Sequence, residues 1–154
     1  MKFTAKVRIC LWFNGDGHEA AEFYVSLLPD SFIENVVHPN PEEPPLVVEF
    51  MLAGAPMMVL NGGPLFTPTE AASISVLTQD QEETDRLWSA LTANGGSQSM
   101  CGWLKDKYGV SWQIVPEVLP RMLASDDREL ARRTMAAMMQ KIDIAALQVA
   151  IDRK

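Results

Sequence analysis

The sequence predicts an α+β chain: two consecutive strand–helix–three-strand modules followed by a helical extension. Three observations lead there. Asp16-x-x-Glu19 and Asp80-x-x-Glu83 each open a helical pattern directly after an alternating strand, as capping boxes do. Laying Asp80 over Asp16 sets Leu87 on Phe23, Trp88 on Tyr24 and Leu91 on Leu27, which marks an internal repeat. Beyond Pro120 the alternation stops and only helical spacing continues. Module one is expected over about residues 5–61, a linker over 62–70, module two over about 71–118 and the tail over 119–154, all within a single domain.

In module one, Val7–Phe13 reads as a strand, and Ala20, Ala21, Tyr24, Leu27 and Leu28 give the buried stripe of a helix stopped by Pro29. Strands are expected at Phe32–His38, Leu46–Met51 and Pro56–Asn61, separated by the proline-rich stretch 39–45 and by Ala53-Gly54-Ala55. Module two repeats the order. A strand at Ser73–Thr78 precedes a helix carrying Thr84, Leu87, Trp88 and Leu91, ended by Asn94-Gly95-Gly96. Short strands around Ser97–Gly102 and Gly102–Lys105 follow, then a strong one at Val110–Val115. In the tail, Asp126-x-x-Glu129 starts a helix bearing Leu130, Met135, Met138 and Met139, and Asp143 caps another through Ile144, Leu147 and Ile151. The methionine spacing suits packing on the modules or on a second subunit.

Composition limits the function classes. A formal net charge of −7 repels phosphate backbones and anionic lipid, so no nucleic acid partner is expected. No apolar run reaches the roughly 18 residues of a membrane span. The start of the chain lacks the apolar core of a secretory signal, and Cys10 and Cys101 are too few for a disulfide framework. A cytoplasmic protein with reduced thiols is the expectation.

Unaided motif reading finds little catalysis. Gly15-Asp-Gly17-His-Glu-Ala20 resembles a G-x-G-x-x-A dinucleotide turn, yet Asp16 and Glu19 would set negative charge beside a pyrophosphate. Helix capping accounts for the same residues. His18 and His38, the only histidines, read as solvated residues rather than ligands.

Strand alternation is more productive. It assigns Ile9, Leu11, Phe13, Met58, Leu60, Ile74, Val76, Val110, Trp112 and Ile114 to the side covered by helices. Arg8, Cys10, Trp12, Glu49, Met57, Val59, Asn61, Ser73, Ser75, Ser111 and Gln113 fall on the other, open side. Such a mixture of hydroxyls, amides, one arginine, one carboxylate and aromatic surface suits a small-molecule pocket. The bland alternative is a half-exposed sheet face, or one covered by a second subunit.

Several stretches together resemble a known family. These are Cys10-Leu-Trp-Phe-Asn-Gly15, Ala20-Ala-Glu-Phe-Tyr24, Asp85-Arg-Leu-Trp88 and above all Cys101-Gly-Trp-Leu-Lys-Asp-Lys-Tyr-Gly-Val-Ser-Trp-Gln-Ile-Val-Pro116. Arg132-Arg-Thr-Met-Ala-Ala-Met138 and Lys141-Ile-Asp-Ile-Ala-Ala146 in the tail add to them. The chain resembles the PhnB-like branch of the glyoxalase, or vicinal oxygen chelate, superfamily, a branch often labelled a demethylubiquinone methyltransferase domain. The resemblance implies tandem βαβββ modules whose sheets form a cup, a homodimer, and a small-molecule ligand. Metal-dependent relatives place ligands on the first and last strand of each module, which align here with Arg8, Val59, Ser73 and Gln113. Only Gln113 keeps a usual ligand type, because arginine is a permanent cation, valine has no donor atom and a neutral serine binds metals poorly.

The expected function is therefore binding of a small carbonyl-bearing or aromatic metabolite without a catalytic metal or other cofactor. The expected ligand-binding residues are Arg8, Cys10, Trp12, Glu49, Val59, Asn61, Ser73, Ser75 and Gln113. Arg8 is expected to hold a ligand oxygen. One alternative is a metal-dependent lyase, isomerase or dioxygenase with relocated ligands drawn from Glu49, His38, Cys10 and Gln113. The other is a methyltransferase, disfavoured because no glycine-rich loop offers a methyl-donor site.

Overall fold

The computed structural model describes residues 4–137, 143–145 and 149. The chain divides into two compact units, Met1–Pro68 and Thr69–Lys154. In the first, β1 (Ile9–Phe13) leads into α1 (Gly17–Leu27), then β2 (Phe32–Val37), β3 (Val47–Leu52) and β4 (Ala55–Asn61). In the second, β5 (Ile74–Thr78), α2 (Gln81–Thr92) and a 3-10 turn at Ala93–Gly95 precede β6 (Ser97–Gln98), β7 (Trp103–Lys105) and β8 (Ser111–Pro116). The two sheets have the same topology, β1-β4-β3-β2 and β5-β8-β7-β6, with the first and last strands parallel and the rest antiparallel. The repeat expected from the helix caps is thus a repeat of fold.

Each helix covers one face of its sheet. Ala20, Ala21, Tyr24 and Leu27 of α1 are buried together with Val48, Phe50 and Leu52 of β3, the Tyr24 and Phe50 rings lying 6.5 Å apart. Thr84, Leu87, Trp88 and Leu91 of α2 are buried with Leu104, Trp112 and Ile114. The Thr78 and Thr84 hydroxyls satisfy each other at 2.6 Å inside that packing.

Helix starts differ from the sequence reading in one module. Asp80 caps α2 as expected, its Oδ1 accepting the Glu83 amide at 2.8 Å. Asp16 makes no side-chain cap. Instead the Asn61 carboxamide oxygen accepts the Gly15 amide at 3.2 Å and the Gly17 amide at 2.9 Å, while its Nδ2 donates to the Pro45 carbonyl at 2.7 Å. Gly17 has to be glycine for this: a Cβ there would fall 2.8 Å from Asn61 Oδ1 and 3.2 Å from Val59 Cβ.

The described start of the tail packs within the second unit. An additional helix, α3 (Val118–Leu123), spans Pro120, which the first turn tolerates because an N–H there would have no helical acceptor and proline lacks one. Leu119 and Met122 of α3 are buried and pack with Val115, Val118, Leu123 and Leu130. The next helix, α4 (Arg128–Ala137), is capped by Asp127 rather than Asp126: Asp127 Oδ1 accepts the Glu129 and Leu130 amides, both at 3.0 Å. Met138, Met139, Leu147 and Ile151, expected to line tail helices, lie outside the described residues.

Candidate functional site: two open sheet faces

Pairing register decides which side chains share a face. In the first sheet Met57 pairs with Ile9 and Phe50, and Val59 with Leu11 and Val48. Met57 and Val59 are therefore on the helix side, and Val59 is fully buried, beside Gly17. This reverses the face expected for β4. Met57, Val59 and Asn61 belong to the covered side, and Met58 and Leu60 to the open one, level with Cys10 and Trp12. The run Met57-Met58-Val59-Leu60 is apolar on both sides, so alternation alone gives no phase; the pairing with β3 does.

Arg8 lies just ahead of β1 and is surrounded by acceptors. Its Nη2 pairs with Glu34 at 2.6 Å and donates to Thr4 Oγ1 at 2.9 Å, its Nε faces Glu49 at 3.5 Å, and its Nη1 reaches the Phe50 and Met57 carbonyls at 3.4 and 3.3 Å. The Arg8 and Glu34 side chains are each only 6% exposed. Glu49 also accepts from Asn35 Nδ2 at 2.6 Å. The Thr4 hydroxyl, and then the Arg8 guanidinium, hold the Glu34 carboxyl below the usual carboxylate range. A guanidinium has five N–H donors. Here they are spread over two carboxylates, a hydroxyl and two carbonyls, so the cluster closes on itself. Glu34 escapes the sequence reading because β2 carries an irregularity between Ile33 and Asn35, which breaks strict alternation.

The remaining open-face groups of the first unit serve the linker or stay solvated. Trp12 Nε1 donates to the Gly63 carbonyl at 2.8 Å, and its ring meets Phe66 edge-on at 4.9 Å. Cys10 is exposed, and desolvation around its sulfur pushes the thiol pKa up, the wrong direction for a nucleophile. His38 Nε2 lies 2.5 Å from the Glu43 carbonyl and His18 3.5 Å from Glu22, both in local loop or helix contacts.

The second sheet behaves differently. Register puts Ile74 with Trp112 and Val76 with Ile114 on the helix side, and Ser75 with Gln113 on the open side, as alternation predicts. Gln113 Nε2 donates to Ser73 Oγ at 2.8 Å, bringing two of the expected residues together. Trp103 pairs with Gln113 and Lys105 with Ser111, so both join the open face. A cavity of about 190 Å³ opens there, lined by Glu70, Ser97, Gln98, Ser99, Trp103, Leu104, Lys105 and Ser111. Lys105 Nζ is bound to Glu70 at 2.5 Å, and this ion pair holds the Glu70 carboxyl below its ordinary range. Ser111 is 1% exposed, and its Oγ has no hydrogen-bond partner among the described residues. A buried hydroxyl without a protein partner calls for one from water or a bound group. Of these cavity residues the sequence reading reached only Ser111. The three-residue strand β7 was too short to carry a visible alternation.

The strongest sequence motif has a structural explanation of its own. Asp106, 2% exposed, accepts the Tyr108 and Val110 amides on Oδ1 at 2.9 and 3.0 Å and the Trp112 indole N–H on Oδ2 at 2.8 Å. Gly109, at φ 83°, lets the turn between β7 and β8 close around that carboxylate. The motif thereby fixes β8 in phase, with Trp112 inward and Ser111 and Gln113 outward.

Comparison with known proteins now places the chain. The family model for 3-demethylubiquinone-9 3-methyltransferase matches residues 5–115. The chain belongs to this PhnB-like family. Its structure is similar to the PhnB protein from Bacillus cereus, at 31% identity and a TM-score of 0.67, over 73% of this chain and 99% of that one. It is also similar to protein PA1353 from Pseudomonas aeruginosa, at 23% identity and a TM-score of 0.62, over 74% and 98% of the two chains. The fosfomycin resistance protein FosX from Listeria monocytogenes, whose structure was determined with Mn(II) and dihydroxypropylphosphonic acid, shares the fold at 15% identity and a TM-score of 0.56, over 79% and 99%. No curated protein matches the chain significantly. The fold of this PhnB-like protein is thus the glyoxalase-like α+β fold.

The superfamily's metal can be tested against the donors present. Among the described residues no three of His, Cys, Asp and Glu are grouped as a metal site requires. At the aligned positions Arg8 is ion-paired, Val59 is buried on the helix side, and Ser73 and Gln113 bond to each other. The open-face residues of β4, Met58 and Leu60, bring no hard donor either. These residues do not fit a three- or four-ligand metal. Of the relocated donors considered, Glu49 is held by Arg8 and Asn35, and His38 sits against a loop carbonyl. No described helix is long and apolar enough to cross a membrane.

Proposed function

We propose that this PhnB-like protein binds a small carbonyl-bearing or aromatic molecule on the open face of its second sheet, without using a catalytic metal. The observation that carries the reading is the Ser111 hydroxyl, buried without a partner beside a cavity that also has Trp103 and Lys105 on its wall. Native folds leave few buried polar groups unpaired, and strain, a catalytic role, or a bound water or ion accounts for those that persist. Gln113, Ser73 and Ser75 extend the polar surface, and Cys10 and Trp12 are the corresponding groups of the first sheet. Arg8, Glu49, Val59 and Asn61 are not put forward as ligand contacts, because their side chains are committed within the first unit.

A methyltransferase is the second reading, raised by the family's name. The glycine-bearing turn Gly15–Gly17 has its two glycine amides turned to Asn61, so those donors are not available to a bound methyl donor. The same proposal makes the protein a cytoplasmic homodimer, as its family implies; a sedimentation measurement giving a monomer at micromolar concentration contradicts that part. The ligand reading is tested by a thermal-shift screen with small aromatic and carbonyl compounds, together with a metal count. Stabilisation by such compounds in metal-free protein, weakened in Gln113→Ala, is expected. Stoichiometric metal that is lost in Gln113→Ala, with no binding in its absence, overturns the metal-free reading.

A further inference from the structure

We infer that the ligand taken at this cavity is a small carboxylate, and that Glu70 holds the place its carboxylate would take beside Lys105. The inference rests on the open-face reading above and sharpens it to a ligand class. Lys105 is the cation on the cavity wall, and its ammonium is 2.5 Å from the Glu70 carboxylate. That pair is loosely held: the Lys105 and Glu70 side chains are 38% and 65% exposed, and Glu70 comes from the segment before β5 rather than from the sheet. An exposed ion pair of this kind contributes little to stability and exchanges readily for an equivalent one. A ligand carboxylate is such an equivalent.

The surrounding groups suit the same chemistry. Ser111 stands directly opposite Lys105 in the β7–β8 register, and its hydroxyl is a donor still without an acceptor. A carboxylate that takes Lys105 from Glu70 sits across the β7–β8 pair from Ser111, whose hydroxyl can donate to it. Ser97 and Ser99 add hydroxyls on the rim, and the half-buried Trp103 ring offers a flat apolar wall. A cavity of about 190 Å³ accommodates an organic acid the size of one aromatic ring with a short side chain, not a nucleotide cofactor. Glu70 then acts as an internal competitor, which sets a floor on the ligand concentration needed for occupancy.

Titration calorimetry on the full chain tests this, with phenylpyruvate as the probe and its methyl ester as the uncharged control. Phenylpyruvate should bind at least tenfold more tightly than the ester. Lys105→Met should remove that preference, Ser111→Ala should weaken acid binding severalfold, and Glu70→Gln should strengthen it severalfold by removing the competitor. Equal affinity for acid and ester, or a Glu70→Gln variant that binds acid no better than the parent, overturns the inference. If both compounds bind equally and Gln113→Ala weakens both, the open-face reading stands and the carboxylate inference alone fails. If neither probe binds but uncharged carbonyl compounds do, the outcome is the same. If no small molecule of either kind binds, both fail.

Discussion

The two units share one topology and use their polar groups in opposite ways. In the first, Arg8, Glu34, Glu49, Asn35 and Thr4 satisfy one another, and Asn61 is consumed by the start of α1. In the second, the Ser111 hydroxyl has no partner among the described residues and Lys105 holds an exposed carboxylate. A duplicated fold can thus let one copy close its polar face for stability while the other keeps donors in reserve. Substitutions in the first unit should therefore register as stability, and those in the second as binding.

The largest effect is expected at Arg8. Arg8→Ala strands Glu34 and Glu49 without their cation and should cost about 3 kcal/mol in chemical denaturation, at the low end for breaking a buried pair. An effect below ~0.5 kcal/mol would free Arg8 for the ligand role first assigned to it. Asn61→Ala removes three hydrogen bonds, including both at the α1 start, and should cost about 2 kcal/mol. Ser111→Ala reverses the sign. Deleting an unpaired buried hydroxyl should leave the protein as stable as the parent or about 1 kcal/mol more stable, while ligand binding falls. A clear loss of stability there would mean that the hydroxyl has a structural partner.

Acid dependence is the smallest test. The folded-state pKa of Glu34 lies below its unfolded value, chiefly through the Thr4 hydroxyl and then Arg8. The stability it contributes is present above the unfolded carboxylate pKa, about 4.3, and is lost as pH falls through the depressed folded value. Glu34→Gln should consequently flatten the acid limb of the stability–pH curve and leave its slope near neutrality unchanged. An unaltered acid limb would show that the cluster does not act on Glu34 as described.

The same contrast explains what could be read from the sequence. Ile74-Ser75-Val76 and Trp112-Gln113-Ile114 alternate between apolar and polar residues, so Ser75 and Gln113 are legible as one face and Ile74 and Ile114 as the other. β4 offers no polarity contrast, and its pairing puts Met57, Val59 and Asn61 on the covered side rather than the expected open one. The capping of α1 by Asn61 joins residues 44 positions apart, a contact no local pattern encodes. Glu34 was hidden by the irregularity in β2, and α3 by a proline that its first turn accepts. The cavity was missed because Glu70 lies in the linker by composition and meets Lys105 only once the second unit has folded. Local chemistry was readable; partners distant in the chain were not.

The central claim is that ligand contacts concentrate in the second unit while the Arg8 cluster stays closed. Amide and side-chain NMR shifts of labelled protein, titrated with phenylpyruvate, examine it most directly. Movement centred on Lys105, Ser111 and Gln113, with Arg8, Glu34 and Glu49 still, is the predicted result. Shifts centred on Arg8 and Glu49, with Lys105 and Ser111 unmoved, would contradict it.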